Sequence, residues 1–302
     1  MAANVIDLTT VDAVADYLNQ PENLDVSLIQ GLVTSYSQAI LTRTGRGNLS
    51  SIKTYSETYS GTGSNRQQLR NYPILSVTSL VVGTTPIPQS PGPNRAGWVI
   101  DTAGSQAALA IISPNWVGNW SAAESPWRGG NWGGGNAPPL GNAQYCFVQG
   151  VMNVAVTYQA GYVLETLEVD TIPATPGPYT VKVAQAAKFY ADQGVTLANG
   201  TPLELVTGAP ASGQYSVTGG TYTFNAAQQG DSVNINYQYG GTPFDLAEAV
   251  TEWCGDVYRS RQWIGQKSQM QPNVGTTSYA TWPMPDRVKS LCDFYRMRFL
   301  PS

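Results

Sequence analysis

One stretch, Thr242 to Ser268, combines a clear helix start with a long helical period. Thr242 stands where an N-cap belongs, Pro243 takes the first helical position, and Asp245 follows three residues after the cap. A threonine oxygen can accept an unpaired backbone N–H, and a carboxylate suits the positive end of the helix dipole. Apolar residues then recur at spacings of three, four and seven, namely Leu246, Val250, Trp253, Val257 and Ile264. The pattern predicts an amphipathic helix at the centre of a core.

Three further segments have a helical period. The first runs from Thr10 to Leu18 behind a Thr or Asp cap, and the second runs from about Leu24 to Thr44. Gly45 follows the second segment, as glycine does beyond a helix C-terminus. The last helix is predicted to begin after Pro285, and its apolar face is Val288, Leu291, Cys292, Tyr295 and Phe299. These segments would pack with the central helix as a helical core.

Between the helices the apolar period changes to two, which is typical of strands. Short strands are predicted from about residue 52 to 82, and then at 97–101, 108–112, 144–148 and 153–158. The pattern V-x-[VI]-x-Y-Q-x-G occurs twice, at 154–161 and at 233–240, and the second copy leads directly into the central helix. The simplest explanation is an inserted module at 163–241, whose short alternating runs predict a small β-sandwich.

The sequence therefore predicts an α+β fold. Its core is two N-terminal helices, a central helix and a C-terminal helix, together with a β-strand subdomain, over residues 1–162 and 242–302. The β-sandwich-like module at 163–241 interrupts this core. A Trp/Gly-rich loop at 113–142 lies within the first part of it.

Composition argues against an enzyme. The chain has no histidine, which removes the usual proton shuttle and the commonest zinc ligand. No Gly-x-Ser-x-Gly elbow, phosphate-binding Gly-Lys-Ser/Thr motif or ligand-spaced acidic cluster occurs, so we expect no catalytic residues, no cofactor and no metal site. Glu165, Glu168 and Asp170 lie close in sequence, and we expect them to be solvated. The two carboxylates of a glycosidase can lie anywhere in a sequence, so that chemistry stays open here.

Cysteine usage and the chain start point to a cytoplasmic origin. Cys146, Cys254 and Cys292 are odd in number and far apart, so we expect reduced thiols that act as small hydrophobes. No apolar run is long enough for a membrane span, and the first residues lack a secretory signal pattern. We therefore expect synthesis in a cytoplasm and no contact with a membrane.

The net charge of −4 is unevenly distributed. From Val257 onward there are seven basic and two acidic residues, a balance of +5, so the preceding part carries −4 − 5 = −9. A basic C-terminal end on an acidic body indicates an acidic partner for that end, or else a solvated helix face.

The loop at 113–142 holds half of the chain's eight tryptophans among clustered glycines and prolines. These are Trp116, Trp120, Trp127 and Trp132. Long loops without structure of their own are often functional. Three roles stay open for this one: contact with a neighbouring protein, packing of the loop on its own indoles, and stacking on a sugar.

The order of elements and motifs resembles that of the head–tail connectors, or adaptors, of tailed bacteriophages. The resemblance covers about residues 10–82, 150–162 and 243–300. Two helices come first, then the tyrosine strand Tyr55–Tyr59, the Tyr72-Pro73-Ile74-x-Ser76-Val77 turn, and a Gly-Tyr strand end before Pro243-x-Asp245-Leu246. The Trp/Gly-rich loop and the inserted module depart from the minimal family. The module is similar to small β modules of phage virion proteins.

The resemblance implies a structural virion protein in the neck, made in the host bacterial cytoplasm. It implies a homo-oligomeric ring of twelve copies between the portal protein and a stopper or tail-completion protein, with viral DNA passing through the lumen without sequence-specific binding. Docking on the portal would use the C-terminal segment, with the candidates Trp282, Arg287, Lys289, Arg296 and Arg298. The tryptophans of the loop are candidates for contact with a neighbouring subunit or the tail. The alternatives are a stopper or tail-completion neck protein, and a virion protein that binds a host carbohydrate.

Overall fold

A computed structural model describes residues 6–19, 24–92, 95, 97–101, 108–112, 147–174, 177–261, 268–271, 275–278 and 284–296. The described residues form four α-helices and several β-sheets, so the chain has the predicted α+β class. The chain divides into two compact units. The first is Met1–Ile52 with Tyr162–Met297, and the second is Lys53–Gly161 with Arg298–Ser302.

The helices and strands are numbered along the chain. The helices are α1 (Val11–Leu18), α2 (Val26–Thr44), α3 (Phe244–Ser260) and α4 (Asp286–Tyr295). The first strands are β1 (Lys53–Gly61), β2 (Arg66–Gln68), β3 (Ile74–Val82), β4 (Thr85–Pro86), β5 (Gly97–Asp101), β6 (Ala108–Ile112) and β7 (Gly150–Ala160). The next strands are β8 (Val163–Thr171), β9 (Thr180–Lys182), β10 (Phe189–Leu197), β11 (Glu204–Leu205), β12 (Gln214–Thr218), β13 (Thr221–Phe224) and β14 (Ser232–Gly240). The last two are β15 (Ser268–Gln271) and β16 (Gly275–Ser278).

Helix α3 is the centre of the helical core, as the sequence predicts. Helices α1, α2 and α4 all contact it. Its buried stripe includes Leu246, Val250 and Trp253, and the Trp253 ring stacks on Tyr36 of α2 with 3.9 Å between ring centroids. Each large apolar side chain buried in this way contributes about 1.5–3 kcal/mol to folding. The core therefore joins helices that are distant in sequence.

Local signals explain most of the helix ends. The Thr10 side chain accepts a hydrogen bond from the Ala13 N–H and caps α1, and Gly45 ends α2 with a left-handed φ of 70°. The prediction of a Thr242 cap is wrong. Pro243 has an extended ψ of 135° and is itself the residue before α3, so Thr242 lies one position too far upstream to cap it. The predicted stripe residue Ile264 lies outside the described residues.

Helices α1 and α3 meet at a glycine. A Cβ added to Gly255 would lie 2.4 Å from Cδ1 of the Tyr17 ring, which is closer than atoms pack. The Arg259 guanidinium also contacts the Tyr17 ring, at 4.9 Å from the ring centroid. The position therefore requires a residue without a side chain.

We expect Gly255→Ala to lower the free energy of unfolding by about 1–2 kcal/mol. The destabilisation from overpacking should exceed the stabilisation from the higher helix propensity of alanine. The matched control is Gly31→Ala in the middle of α2, where an added Cβ would meet nothing within 4 Å. That substitution should raise stability by about 0.5–1 kcal/mol. Denaturant unfolding of both variants measures the difference, and equal effects would contradict the close contact.

The second unit is built on a sheet with the strand order β1-β7-β3-β4. Three groups converge on the half-buried Glu57 carboxylate of β1. The Tyr59 and Tyr158 hydroxyls both donate to Glu57 Oε2, and the Asn71 amide donates to Oε1. The Tyr158 hydroxyl itself accepts a hydrogen bond from the Asn71 backbone N–H. The predicted tyrosine strand thus carries a hydrogen-bond network that satisfies a carboxylate within an aromatic core.

Burial, together with the bond to Glu57, raises the pKa of Tyr158 from 10.0 to about 12. Between these pH values the unfolded chain loses this proton while the folded chain keeps it, so stability should fall as the pH rises from 10 to 12. Urea unfolding over this range measures the slope. Tyr158→Phe should make the slope shallower than in the wild type. An unchanged slope in Tyr158→Phe would exclude this tyrosine as a source of the pH dependence.

Residues 163–240 of the first unit form two sheets, ordered β10-β14-β8 and β11-β12-β13-β9. Side chains of both sheets share one core, which includes Tyr215, Tyr222 and Tyr237. Strand β8 was not predicted from the sequence. The predicted strand at 144–148 is wrong for Phe147 and Val148, which lie outside any strand, while 144–146 lie outside the described residues.

The two ends of this segment lie together. The Gly241 N–H donates to the Tyr162 carbonyl at 3.1 Å, and Val163 pairs with Gly240. The chain thus leaves and returns at one point. This closure is compatible with an inserted module, and the domain boundaries at 162/163 and 241/242 stay a prediction.

Candidate interaction surface

The C-terminal helix α4 has one buried face and one charged face. Val288, Cys292 and Tyr295 are buried in the helical core, as predicted. The spacing of three and four residues places these side chains on one side, so the residues between them face outward. The outward residues include two of the predicted docking candidates, Arg287 and Lys289.

Arg287 is held by two carboxylates of the neighbouring helix α3. Its Nη1 lies 2.7 Å from Glu252 Oε2, and its Nη2 lies 2.9 Å from Glu248 Oε2. The two glutamates are four residues apart and therefore share one face of α3. Their hydrogen bonds and charges raise the pKa of the Arg287 guanidinium. A side chain that the sequence suggested for portal docking thus joins α4 to α3.

The other charges of α4 are also balanced nearby. Lys289 Nζ lies 2.8 Å from Asp286 Oδ1 in the same helix, and Arg43 of α2 lies 3.5 Å from Asp293. Among the described residues on or beside α4, the cations are Arg43, Arg287, Lys289 and Arg296, and the anions are Asp245, Glu248, Glu252, Asp286 and Asp293. The folded helix presents mixed charges, although the C-terminal end of the sequence from Val257 onward is basic.

Arg296 is exposed and directly follows α4 as its C-cap residue. The remaining candidates, Trp282 and Arg298, lie outside the described residues. Trp116, Trp120, Trp127 and Trp132 also lie outside them. The structure therefore places three of the nine candidate residues, and all three are on or next to α4.

Two exposed phenylalanines near α4 were not predicted. The Tyr295 hydroxyl bonds both carboxylate oxygens of Asp245, at 2.8 and 3.0 Å, which joins the end of α4 to the start of α3. Phe294 and Phe244 are the sequence neighbours of this pair, and they are 64% and 68% exposed. Both residues lie outside the apolar stripes of their helices. This position was the signal in the sequence that could have predicted their exposure.

The described cysteines fill space in the helical core. Cys254 and Cys292 are free and buried, as expected, while Cys146 lies outside the described residues. Burial raises the pKa of the Cys254 thiol to about 12 and also raises that of Cys292. Thiols that stay protonated are poor nucleophiles and poor metal ligands.

The described residues add two findings about other kinds of site. Their carboxylates and cysteines nowhere gather in a group of three or more that could hold a metal ion. Of their helices, none has the length and apolar character that crossing a membrane requires.

Comparison with known proteins adds little information about the function of the chain. No protein-family model matches the chain, and no curated protein matches it. One similar solved structure is described as "Neck of empty GTA particle computed with C6 symmetry". Its chain is 13% identical, with a TM-score of 0.34, and the match covers 100% of this chain and 95% of that chain. At this TM-score the likeness carries no argument about fold or function.

We expect Arg287→Gln to speed amide hydrogen exchange in α4, because the variant loses the bridge to both α3 glutamates. The matched control is Lys289→Gln, which removes an ion pair within α4 and should have a smaller effect. An ionic strength of about 1 M shortens the Debye length to about 3 Å and should reduce the difference between the wild type and Arg287→Gln. Equal exchange in both variants would show that the bridge does not hold the helix.

Proposed function

We propose that the chain is a head–tail connector of a tailed bacteriophage, a structural neck protein that forms a ring between the portal and a stopper or tail. The observation that carries the proposal is the junction of Tyr162 with Gly241, which are joined by a 3.1 Å hydrogen bond. In the minimal connector that the sequence resembles, a Gly-Tyr strand end runs straight into the central helix. Here the two parts of that motif meet in space although the sequence separates them.

The helical core also supports this proposal. Helices α1 and α2 from the chain start and α4 from its end pack on α3 in one apolar cluster. The resemblance assigns such helices to the body of the ring and the strands to its tail-facing part. Charged residues make up only 12% of the chain, which suits a subunit that buries two different faces against its neighbours.

The charge distribution gives the proposed ring two further properties. The part before Val257 carries −9, and an acidic lumen would let DNA pass, since a basic lining would bind phosphates strongly. On the portal side, Arg287 and Lys289 take part in ion pairs within the subunit. The proposed contact with the portal also involves Arg296, Arg298 and Trp282 of the same C-terminal segment.

Electron microscopy of the purified protein mixed with the portal of the same virus tests the proposal. We expect a ring, of twelve copies in the proposed form, stacked coaxially on the narrow end of the portal. A ring that binds only below an already bound adaptor would instead identify a stopper or tail-completion protein. Location on the capsid or at the tail tip of intact virions would contradict the neck assignment and favour a host-binding role.

The double variant Arg296→Glu/Arg298→Glu tests the docking contact. Exposed ion pairs contribute up to about 1 kcal/mol each, so portal affinity should fall by up to roughly thirtyfold and depend less on salt. The matched control is Lys182→Glu, an exposed charge reversal on β9. Portal binding that is unchanged in the double variant, or equally reduced in the control, would exclude these arginines as the docking contact.

A further inference from the structure

Strand β8 is an edge strand of its sheet in the described part of the chain. It is nine residues long and lies at one side of the sheet β10-β14-β8, and among the described strands only β14 pairs with it. The opposite edge is partly covered, because the Leu197 N–H donates to Thr201 and the Leu203 N–H donates to the Val195 carbonyl, at 2.8 and 2.9 Å. The returning chain thus covers part of β10. A long open edge offers its backbone N–H and C=O groups to another strand.

The outer face of β8 carries exposed apolar side chains. Leu167 and Val169 are 62% and 68% exposed, although they belong to a well-paired strand. They stand opposite Asn236 and Asn234 of β14, so the outer face of this sheet has an apolar row along its open edge. A strand added beside β8 could cover this row with its own alternate side chains.

The same edge is acidic. Strand β8 contains Glu165, Glu168 and Asp170 and no basic residue. Glu168 accepts hydrogen bonds from the Tyr237 hydroxyl and the Ala184 N–H, and Glu165 accepts one from the Asn236 amide. No ion pair in the described part of the chain joins any of these three carboxylates to a cation. The edge therefore carries three negative charges without a balancing positive charge.

We propose that β8 binds an extended segment of a different protein, in which basic and apolar side chains alternate, as a fourth strand of the sheet. Apolar side chains of the segment lie beside Leu167 and Val169 on the outer face, and basic side chains lie beside Glu168 and Asp170 on the inner face. Side chains directly opposite in neighbouring strands are about 4.5–5.5 Å apart at Cβ, which permits ion pairs. The proposal goes beyond the neck assignment and does not depend on it.

Charge argues against a second copy of this chain as the occupant. Pairing β8 with β8 would gather the carboxylates of both copies at one edge, where like charges oppose pairing. Addition of β8 to the β10 edge of another copy would collide with the segment that already covers part of that edge. A basic partner strand meets neither obstacle.

The test uses the full-length protein and a nine-residue peptide of alternating Lys and Val, acetylated and amidated at its ends. Titration calorimetry should show one peptide bound per chain, and hydrogen exchange should slow in the β8 amides. The matched control peptide, with Glu in place of every Lys, should not bind. If the Lys peptide did not bind, the proposal would be overturned. The acidic residues would then serve to prevent strand addition at this edge.

Two variants separate the charge from the apolar row. Asp170→Asn should weaken peptide binding by about threefold to fivefold through loss of one ion pair, and Val169→Thr should weaken it while keeping a strand-forming side chain. Leu205→Asn, at an exposed apolar position of β11, is the control and should have no effect. Binding that is equal in all three variants would overturn the proposal. The proposal would also be overturned if the protein self-associated without peptide and Val169→Thr abolished that self-association. The strand beside β8 would then come from a second copy of the chain.

Discussion

The contact on which the helical unit depends is the apolar face of α3. Helices α1, α2 and α4 come from three separate parts of the sequence, and each packs against this one helix. Trp253 stacks on Tyr36 of α2, and Gly255 leaves room for Tyr17 of α1. The size of the side chain at each of these two positions determines how closely the helices approach. Because helices of this length are marginal alone in water, their stability comes from this shared packing. Arg287 and Tyr295 then join α4 to α3 at the surface.

Tyrosine hydroxyls satisfy carboxylates throughout the described parts of the chain. Glu57 accepts from Tyr59 and Tyr158, Asp192 from Tyr215 and Tyr222, Glu168 from Tyr237, and Asp245 from Tyr295. Such bonds let a carboxylate lie among aromatic rings without a cation, which suits a sequence with no histidine and few charges. Burial raises the pKa of these phenols above the ordinary value of 10, so they stay protonated donors further into the alkaline range.

The closed junction at Tyr162 and Gly241 explains how the β-rich segment can coexist with the helical core. Its two ends meet, and its apolar side chains form a cluster separate from that of the helices. Added sequence at such a point need not disturb the packing around α3. The proposed connector function depends on the core and the junction, whereas the edge strand β8 belongs to the β-rich segment. A neck protein built in this way would have one surface for ring assembly and another for a further partner.

The sequence by itself determined the helices and most of the strands, because periodicity and end signals such as Thr10 and Gly45 are local. It also indicated that the C-terminal end, which includes α4, is basic. The tertiary structure decided what those charges do: Glu248 and Glu252 are 39 and 35 residues away from Arg287, and only folding brings them to its guanidinium. Strand β8 was missed. Its pairing partner β14 is distant in sequence, and the Tyr237 hydroxyl that bonds Glu168 comes from 69 residues further on. The local sequence pattern predicts helices and strands, because their periodicity and end signals are local. The residues that neutralise Arg287 and satisfy Glu168 are distant in sequence, and only tertiary packing brings them together.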